Sequence, residues 1–260
     1  MKKLIVIAVT AFLSACGQSA EEARSTDGGV DVAEEAVIIE NDGWVLKGAY
    51  RFPQTRAIKP AALLLHSAAG DKSEYDVLSA ALAARDVSSL ALDLRGHGES
   101  INLGKFEEPY ADNLHINENV YRDVIAALEW LAAQPDVDAN ALAVVGASYS
   151  GEAAGFALRE GGPKAVAYMM LSPGNFSDVS IAAAEASGAR WQFIRSENEG
   201  PASKPHIDAL FEALEEQGPS LERRVLSGSG HATELFEARP ELSDEMADWI
   251  AATVYGANGE

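Results

Sequence analysis

Two features of this chain predict an α/β fold, a mostly parallel central sheet with helices on both faces. Apolar runs at residues 61–65, 88–94, 142–145, 165–171, 191–194 and 221–226 alternate with helical stretches at 75–85, 119–134, 151–159 and 207–217. Alternation of this kind requires helical crossovers, which bury a parallel sheet on both sides. The second feature is local. The apolar run at 142–145 breaks into a turn of small residues, Gly146-Ala147-Ser148-Tyr149-Ser150-Gly151, and then becomes helical. Open sheets of this class bind ligands beyond the carboxyl ends of their strands, and a serine on such a turn stands at that edge.

The remaining elements fit the same plan. Val37-Ile38-Ile39 and the strand pattern from Trp44 to Tyr50 flank Asn41-Asp42-Gly43, a hairpin turn, so two antiparallel strands are expected to lead the domain. A last amphipathic helix near residues 242–255 carries Met246, Trp249, Ile250 and Val254 at helical spacing, a stripe that belongs to the core. With 260 residues, 47% of them hydrophobic, the chain can bury a sizeable core. No internal repeat or long linker divides the pattern, so residues 36–260 are read as one domain.

The first residues are of another kind. Met1-Lys2-Lys3 followed by an apolar run over residues 4–13 has the basic and hydrophobic regions of an export signal, too short for a stable membrane span. Leu13-Ser14-Ala15-Cys16 then resembles the bacterial lipoprotein box, which implies removal of residues 1–15 and lipid attached to Cys16. Cys16 is the only cysteine in the chain, so an internal disulfide is impossible and lipid attachment accounts for it. An ordinary signal peptide with an incidental cysteine is the alternative. Several acyl chains would anchor the protein stably, because each buried methylene contributes ~0.8 kcal/mol. Residues 16–35, small and acidic, read as a flexible tether. By resemblance to Gram-negative lipoproteins, Gly17 after the cysteine directs the protein to the periplasmic face of the outer membrane, within the bacterial cell envelope. The formal charge of −20, with no stripe of Lys and Arg, argues against nucleic acid as a partner.

The turn at Ser148 suits a nucleophile, because a hydroxyl on a sharp strand-to-helix turn projects clear of the sheet, where the Tyr149 N–H can face a developing oxyanion. A histidine, His231, follows the last strand in Ser227-Gly228-Ser229-Gly230-His231-Ala232, a loop flexible enough to bring an imidazole over the sheet edge. It is the candidate general base. Between them, Ser196-Glu197-Asn198-Glu199 offers two carboxylates.

Gly146, Ser148 and their spacing resemble the G-x-S-x-G elbow of the α/β-hydrolase superfamily, with Ser150 where the second glycine is usual, so a close backbone approach there must admit a hydroxymethyl group. The resemblance extends from about Val37 to the last helix and implies the α/β-hydrolase fold. Its acid-loop pattern, laid over Ser196-Glu197-Asn198-Glu199, puts Glu199 at the acid, with Glu197 the alternative. His66-Ser67-Ala68-Ala69-Gly70 resembles the H-G-x-x-G loop and implies the Ala68 N–H as the second oxyanion donor beside Tyr149. Ser67 takes the place of the usual glycine, and His66 reads as a turn-stabilising residue. Asp93-Leu94-Arg95-Gly96-His97-Gly98-Glu99-Ser100 resembles the D-x-R-G-x-G-x-S turn, a structural element in which Asp93 and Arg95 would satisfy backbone groups or pair with each other. Asp71, Lys72 and Glu74 read as solvated or helix-capping residues.

The five histidines lack the close pairing of metal ligands and no glycine-rich phosphate loop is present, so no metal or cofactor is expected. The irregular stretch 101–118, with Phe106, Tyr110 and His115, would either fold over the site or remain a surface loop. Residues 171–191 leave no room for a large cap domain. The chain looks most similar to dienelactone-hydrolase-like proteins; those proper use a cysteine nucleophile, so Ser148 implies a serine esterase. The expected reaction is hydrolysis of a small-molecule carboxylic ester or thioester through an acyl-Ser148 intermediate. Two alternatives are a serine peptidase resembling the prolyl oligopeptidases and a non-catalytic envelope lipoprotein that binds through the same fold.

Overall fold

β1 (Val32–Asn41) and β2 (Trp44–Pro53) open the fold as an antiparallel pair closed by Asp42 and Gly43. Both turn residues have positive φ, 50° and 82°, the backbone that a two-residue hairpin requires. The computed structural model describes residues 31–55, 57–107, 114–216 and 221–257. The expected signal peptide, Cys16 and residues 16–30 of the expected tether lie outside the described residues. The boundary at residue 36 moves: residues 32–35 pair with 50–53 of β2, so the strand starts four residues early. β1 turns only Val37 and Ile39 into the core, and an edge strand so exposed tolerates the glutamates that hide its periodicity.

The other strands follow the apolar runs: β3 (Lys59–Leu65), β4 (Ser88–Asp93), β5 (Val137–Ala147), β6 (Ala167–Leu171), β7 (Arg190–Asn198) and β8 (Leu221–Ser229). Among the described residues these eight form one sheet in the order β1-β2-β4-β3-β5-β6-β7-β8. β2 meets β4 antiparallel, and every pair from β4 to β8 is parallel. The helices are α1 (Asp76–Ala83), α2 (Leu114–Asn117), α3 (Val120–Ala132), α4 (Tyr149–Arg159), α5 (Asp178–Ala186), α6 (Lys204–Ala213), α7 (Leu235–Ala238) and α8 (Leu242–Gly256). Among the described residues no helix is long and apolar enough to cross a membrane.

Strand alternation sends side chains to two cores. Leu63, Leu65 and Val144 pack with α3, α4, α5 and α6, while Leu64, Ala143 and Val145 pack with α1, α7 and α8. Every residue of β3, β4 and β6 is buried, and each fully buried leucine contributes about 1.5–3 kcal/mol. Of the expected stripe on α8, Met246, Ile250 and Val254 are buried, whereas Trp249 is half-buried and donates its indole N–H to Glu222. The parallel strands β3, β5, β6, β7 and β8 all end at one edge of the sheet. Ala68, Ser148, Ser172, Glu199 and His231 follow those ends directly, so the topology alone gathers them.

Candidate active site

Ser148 joins β5 to α4 with φ 53° and ψ −114°. A non-glycine residue in such a backbone stores about 1–3 kcal/mol and persists only where its surroundings hold it. Here the Ser148 N–H donates to Leu171 O at 2.8 Å, and the Gly151 N–H donates to Ser148 O at 3.2 Å. The helix packs close enough that a Cβ on Gly146 would lie 3.2 Å from Gly151 N. Ser150 causes no crowding in the glycine's place. Its Oγ lies 2.8 Å from Leu65 O and accepts the Ala147 N–H at 2.8 Å, fastening the elbow to the end of β3.

His231 Nε2 lies 2.9 Å from Ser148 Oγ, and Nδ1 lies 2.8 Å from Glu199 Oε2. A carboxylate only accepts, so Nδ1 carries the proton and neutral Nε2 is free to accept from the serine hydroxyl. Of the two candidate acids, Glu199 is buried and reaches the imidazole, whereas Glu197 is exposed. Glu199 Oε1 accepts from Ser172 Oγ at 2.6 Å and from the Ser196 N–H at 3.1 Å. Burial pushes this carboxyl up, but hydrogen bonds from His231, Ser172 and Ser196 outweigh it and hold its pKa below the usual glutamate value.

The loop carrying His231 is tied at three further points. Ser172 Oγ accepts the Ala232 N–H at 3.0 Å, Ser196 Oγ donates to Gly230 O at 2.8 Å, and Glu234 accepts the His231 N–H at 3.0 Å. The roles of Ser172, Ser196 and Glu234 were not read from the sequence. Ser172 had one legible signal, its position immediately after the apolar run 165–171, at the ligand-binding edge of the sheet.

Ala68 lies in the loop after β3, and Tyr149 is the first residue of α4. β3 and β5 are neighbours, with Leu65 opposite Gly146, so both residues leave the sheet at the same level as Ser148. First-turn N–H groups of a helix point back beyond its N-terminus, here toward the Ser148 turn. His66 serves the loop: Nε2 accepts the Leu94 N–H at 3.0 Å and Nδ1 lies 2.7 Å from Ser67 O. Burial, with the neighbouring His97 ring 4.8 Å away, lowers its pKa to about 4. His97 is buried against Phe106 and Tyr149, with Nε2 3.1 Å from Ala68 O, and burial lowers its pKa too.

Asp93 and Arg95 do not pair with each other as one sequence expectation had them. The chain leaves β4 at Asp93, so the two side chains diverge. Asp93 accepts from Lys72 Nζ and from the Lys72 N–H, each at 2.7 Å, and from the Glu99 N–H at 2.9 Å. Gly98 makes room for it, since a Cβ there would lie 2.3 Å from Asp93 Cγ. Arg95 forms a bidentate pair with buried Asp123 at 2.6 and 2.9 Å. Lys72 is therefore an ion-pair partner, while Asp71 caps the turn that follows it, accepting from Ser73 N–H.

One cavity borders the helix that follows the elbow, and another borders the Ala68 loop. The first, about 210 Å³, runs between α3 and α4, walled by Val120, Tyr121, Tyr149, Ala153 and Phe156 with Glu152 at its side. The other, about 450 Å³, lies beside Ala68, Gly70 and His97, and Lys105 and Phe106 of the irregular stretch line it. Tyr110 of that stretch lies outside the described residues.

Residues 62–257 match the alpha/beta hydrolase family. Two uncharacterized proteins of Mycobacterium tuberculosis are each 33% identical to this chain over 126 residues, 48% of this chain and 39% of theirs. The chain thus spans well under half the length of these curated relatives. Among solved structures, a cold-adapted esterase from an Arctic intertidal metagenomic library is similar at a TM-score of 0.68 and 17% identity, over 91% of this chain and 99% of that one. An esterase of Pyrococcus furiosus is similar at 0.66 and 16%, over 86% and 94%. A dienelactone hydrolase from Anabaena variabilis is similar at 0.61 and 20%, over 86% and 98%. These structural likenesses concern the fold, and with a sequence match running from β3 to α8 the chain belongs to the alpha/beta hydrolase family.

Proposed function

We propose that this protein is a serine hydrolase that cleaves carboxylic-ester or thioester bonds through an acyl-Ser148 intermediate. The observation that carries the reading is the unbroken hydrogen-bonded relay Ser148–His231–Glu199. Ser148 Oγ attacks the carbonyl carbon as its proton passes to His231 Nε2, a transfer that contributes roughly a hundred- to ten-thousand-fold in rate. Glu199, held ionised, keeps the ring in the attacking tautomer and stabilises the imidazolium without taking the proton. The carbonyl oxygen becomes an alkoxide, which the N–H groups of Ala68 and Tyr149 receive, each such donor supplying about 2.7–4 kcal/mol. Collapse returns the His231 proton to the departing alcohol or thiol, and water then repeats the sequence to release the acid.

The apolar cavity between α3 and α4 begins one residue beyond Ser148 and suits a short acyl group, with Glu152 at its side disfavouring an anionic one. The esterases and dienelactone hydrolase that share the fold support an ester substrate. Lipid on Cys16 would hold the domain at the cell envelope.

A fluorophosphonate probe tests the reading. Labelling of the wild type that is lost in Ser148→Ala is expected, and absence of labelling on folded protein would instead favour a binding lipoprotein. Cleavage of short nitrophenyl esters but not aminoacyl anilides separates esterase from peptidase.

A further inference from the structure

The loop after β3 carries Ser67 where its family's pattern has glycine, and the structure gives that serine a partner. Glu74 stands in the 3-10 turn Lys72–Tyr75 ahead of α1 and accepts twice from Ser67. The backbone N–H donates to Oε2 at 2.9 Å and the hydroxyl to Oε1 at 2.8 Å. On its other side, Ser67 O lies 2.7 Å from His66 Nδ1 and accepts the Gly70 N–H at 3.2 Å. In a trans peptide the C=O and the following N–H point in opposite directions, so holding Ser67 on both sides sets the direction of the Ala68 N–H.

Gly70 completes the arrangement. A Cβ on that residue would lie 1.8 Å from Glu74 Oε1 and 2.2 Å from its Cδ, so the glycine leaves the space that the carboxylate occupies. The Ser67 hydroxyl and the Glu74 carboxylate together do what a bare glycine turn cannot: they tie the loop to the element that follows it.

We propose that Glu74 is a positioning residue, which grips Ser67 and thereby aims the Ala68 N–H at the oxyanion formed when Ser148 is acylated. The inference rests on the acyl-transfer reading above. Glu74 acts through the loop and touches no reacting atom.

Glu74→Ala removes the grip directly, and Gly70→Ala removes it from the other side, its methyl displacing a carboxylate that remains in the chain. With nitrophenyl acetate, each is expected to lower kcat about ten- to a hundredfold while KM stays within about twofold, because misdirecting a donor weakens the transition state alone. Affinity for an aryl trifluoromethyl ketone, which forms a tetrahedral adduct on Ser148, is expected to fall by the same factor. The double variant is expected to be no slower than the slower single one, since both break one contact. Unchanged kcat in either folded variant overturns the inference, as do unchanged ketone affinity or multiplied losses in the double variant. Should Glu74→Ala fail to fold, Gly70→Ala and Glu74→Gln carry the same test. A wild type that neither hydrolyses esters nor takes the fluorophosphonate overturns the acyl-transfer reading itself, an outcome distinct from active enzyme indifferent to Glu74.

Discussion

Ser172 Oγ donates to Glu199 Oε1 at 2.6 Å, and the same oxygen accepts the N–H of Ala232, the residue after His231, at 3.0 Å. One buried hydroxyl therefore holds both Glu199 and the loop that carries His231. Ser172→Ala removes a donor that lowers the Glu199 pKa, so Glu199 protonates at higher pH. At neutral pH kcat is expected to fall about tenfold, the loss of one hydrogen bond to a charged group. A kcat equal to that of the wild type would show that Ser172 does not support the relay.

Glu199 and Glu197 are two residues apart, and only Glu199 meets His231. Glu199→Gln would present an amide to Nδ1 and favour the wrong imidazole tautomer, with an expected loss of about 10⁴ in kcat. Glu197→Gln, on an exposed side chain, is expected to leave steady-state kinetics unchanged. Comparable losses in both variants would refute the assignment of the acid.

Buried His66 has its pKa lowered from 6.5 to about 4. Between these values the unfolded chain binds a proton that the folded one refuses, so stability rises with pH across that window. The contribution is complete above 6.5 and is lost progressively down to about pH 4. Glu199 adds in the same direction, since its depressed pKa stabilises the fold above the usual carboxylate range and that gain fades as pH falls through the folded value. Thermal melts should therefore decline on acidification, while imidazole NMR shows His66 neutral at pH 5.5. A His66 signal titrating near 6.5 contradicts this.

Arg95 and Asp123 form a buried bidentate pair, 3% and 0% exposed, to which Asn41 adds a hydrogen bond at 2.9 Å. Asp123→Ala leaves the buried guanidinium only the exposed Asp42 carboxylate, 3.8 Å away, and is expected to cost about 3–5 kcal/mol of folding stability, measured by urea unfolding. A loss below about 1 kcal/mol, the range of surface ion pairs, would mean that water reaches the pair.

Ala153 faces the cavity between α3 and α4. Ala153→Phe is expected to fill it and lower kcat/KM for butanoyl relative to acetyl esters at least about tenfold, the scale of pocket discrimination between apolar groups. An unaltered chain-length preference would place the acyl group elsewhere.

The apolar runs, the Asp42-Gly43 hairpin and the order of Ser148 and His231 were legible because each depends on neighbours in the chain: strand period, turn backbone and the small residues of the elbow. From that pattern the sequence by itself determined the α/β class and the sheet edge to which the candidate site residues belong. Tertiary structure alone decided their partners. β7 ends at Asn198, and the chain beyond it buries Glu199 while Glu197 stays in solvent. Arg95 finds Asp123 28 residues away, and Ser172 meets Glu199 across 27. Even Glu74, only seven residues from Ser67, reaches it because the chain folds back after Gly70. A side chain's partner is set by which surfaces the sheet brings within about 3 Å, the reach of a hydrogen bond, and no local pattern encodes that distance.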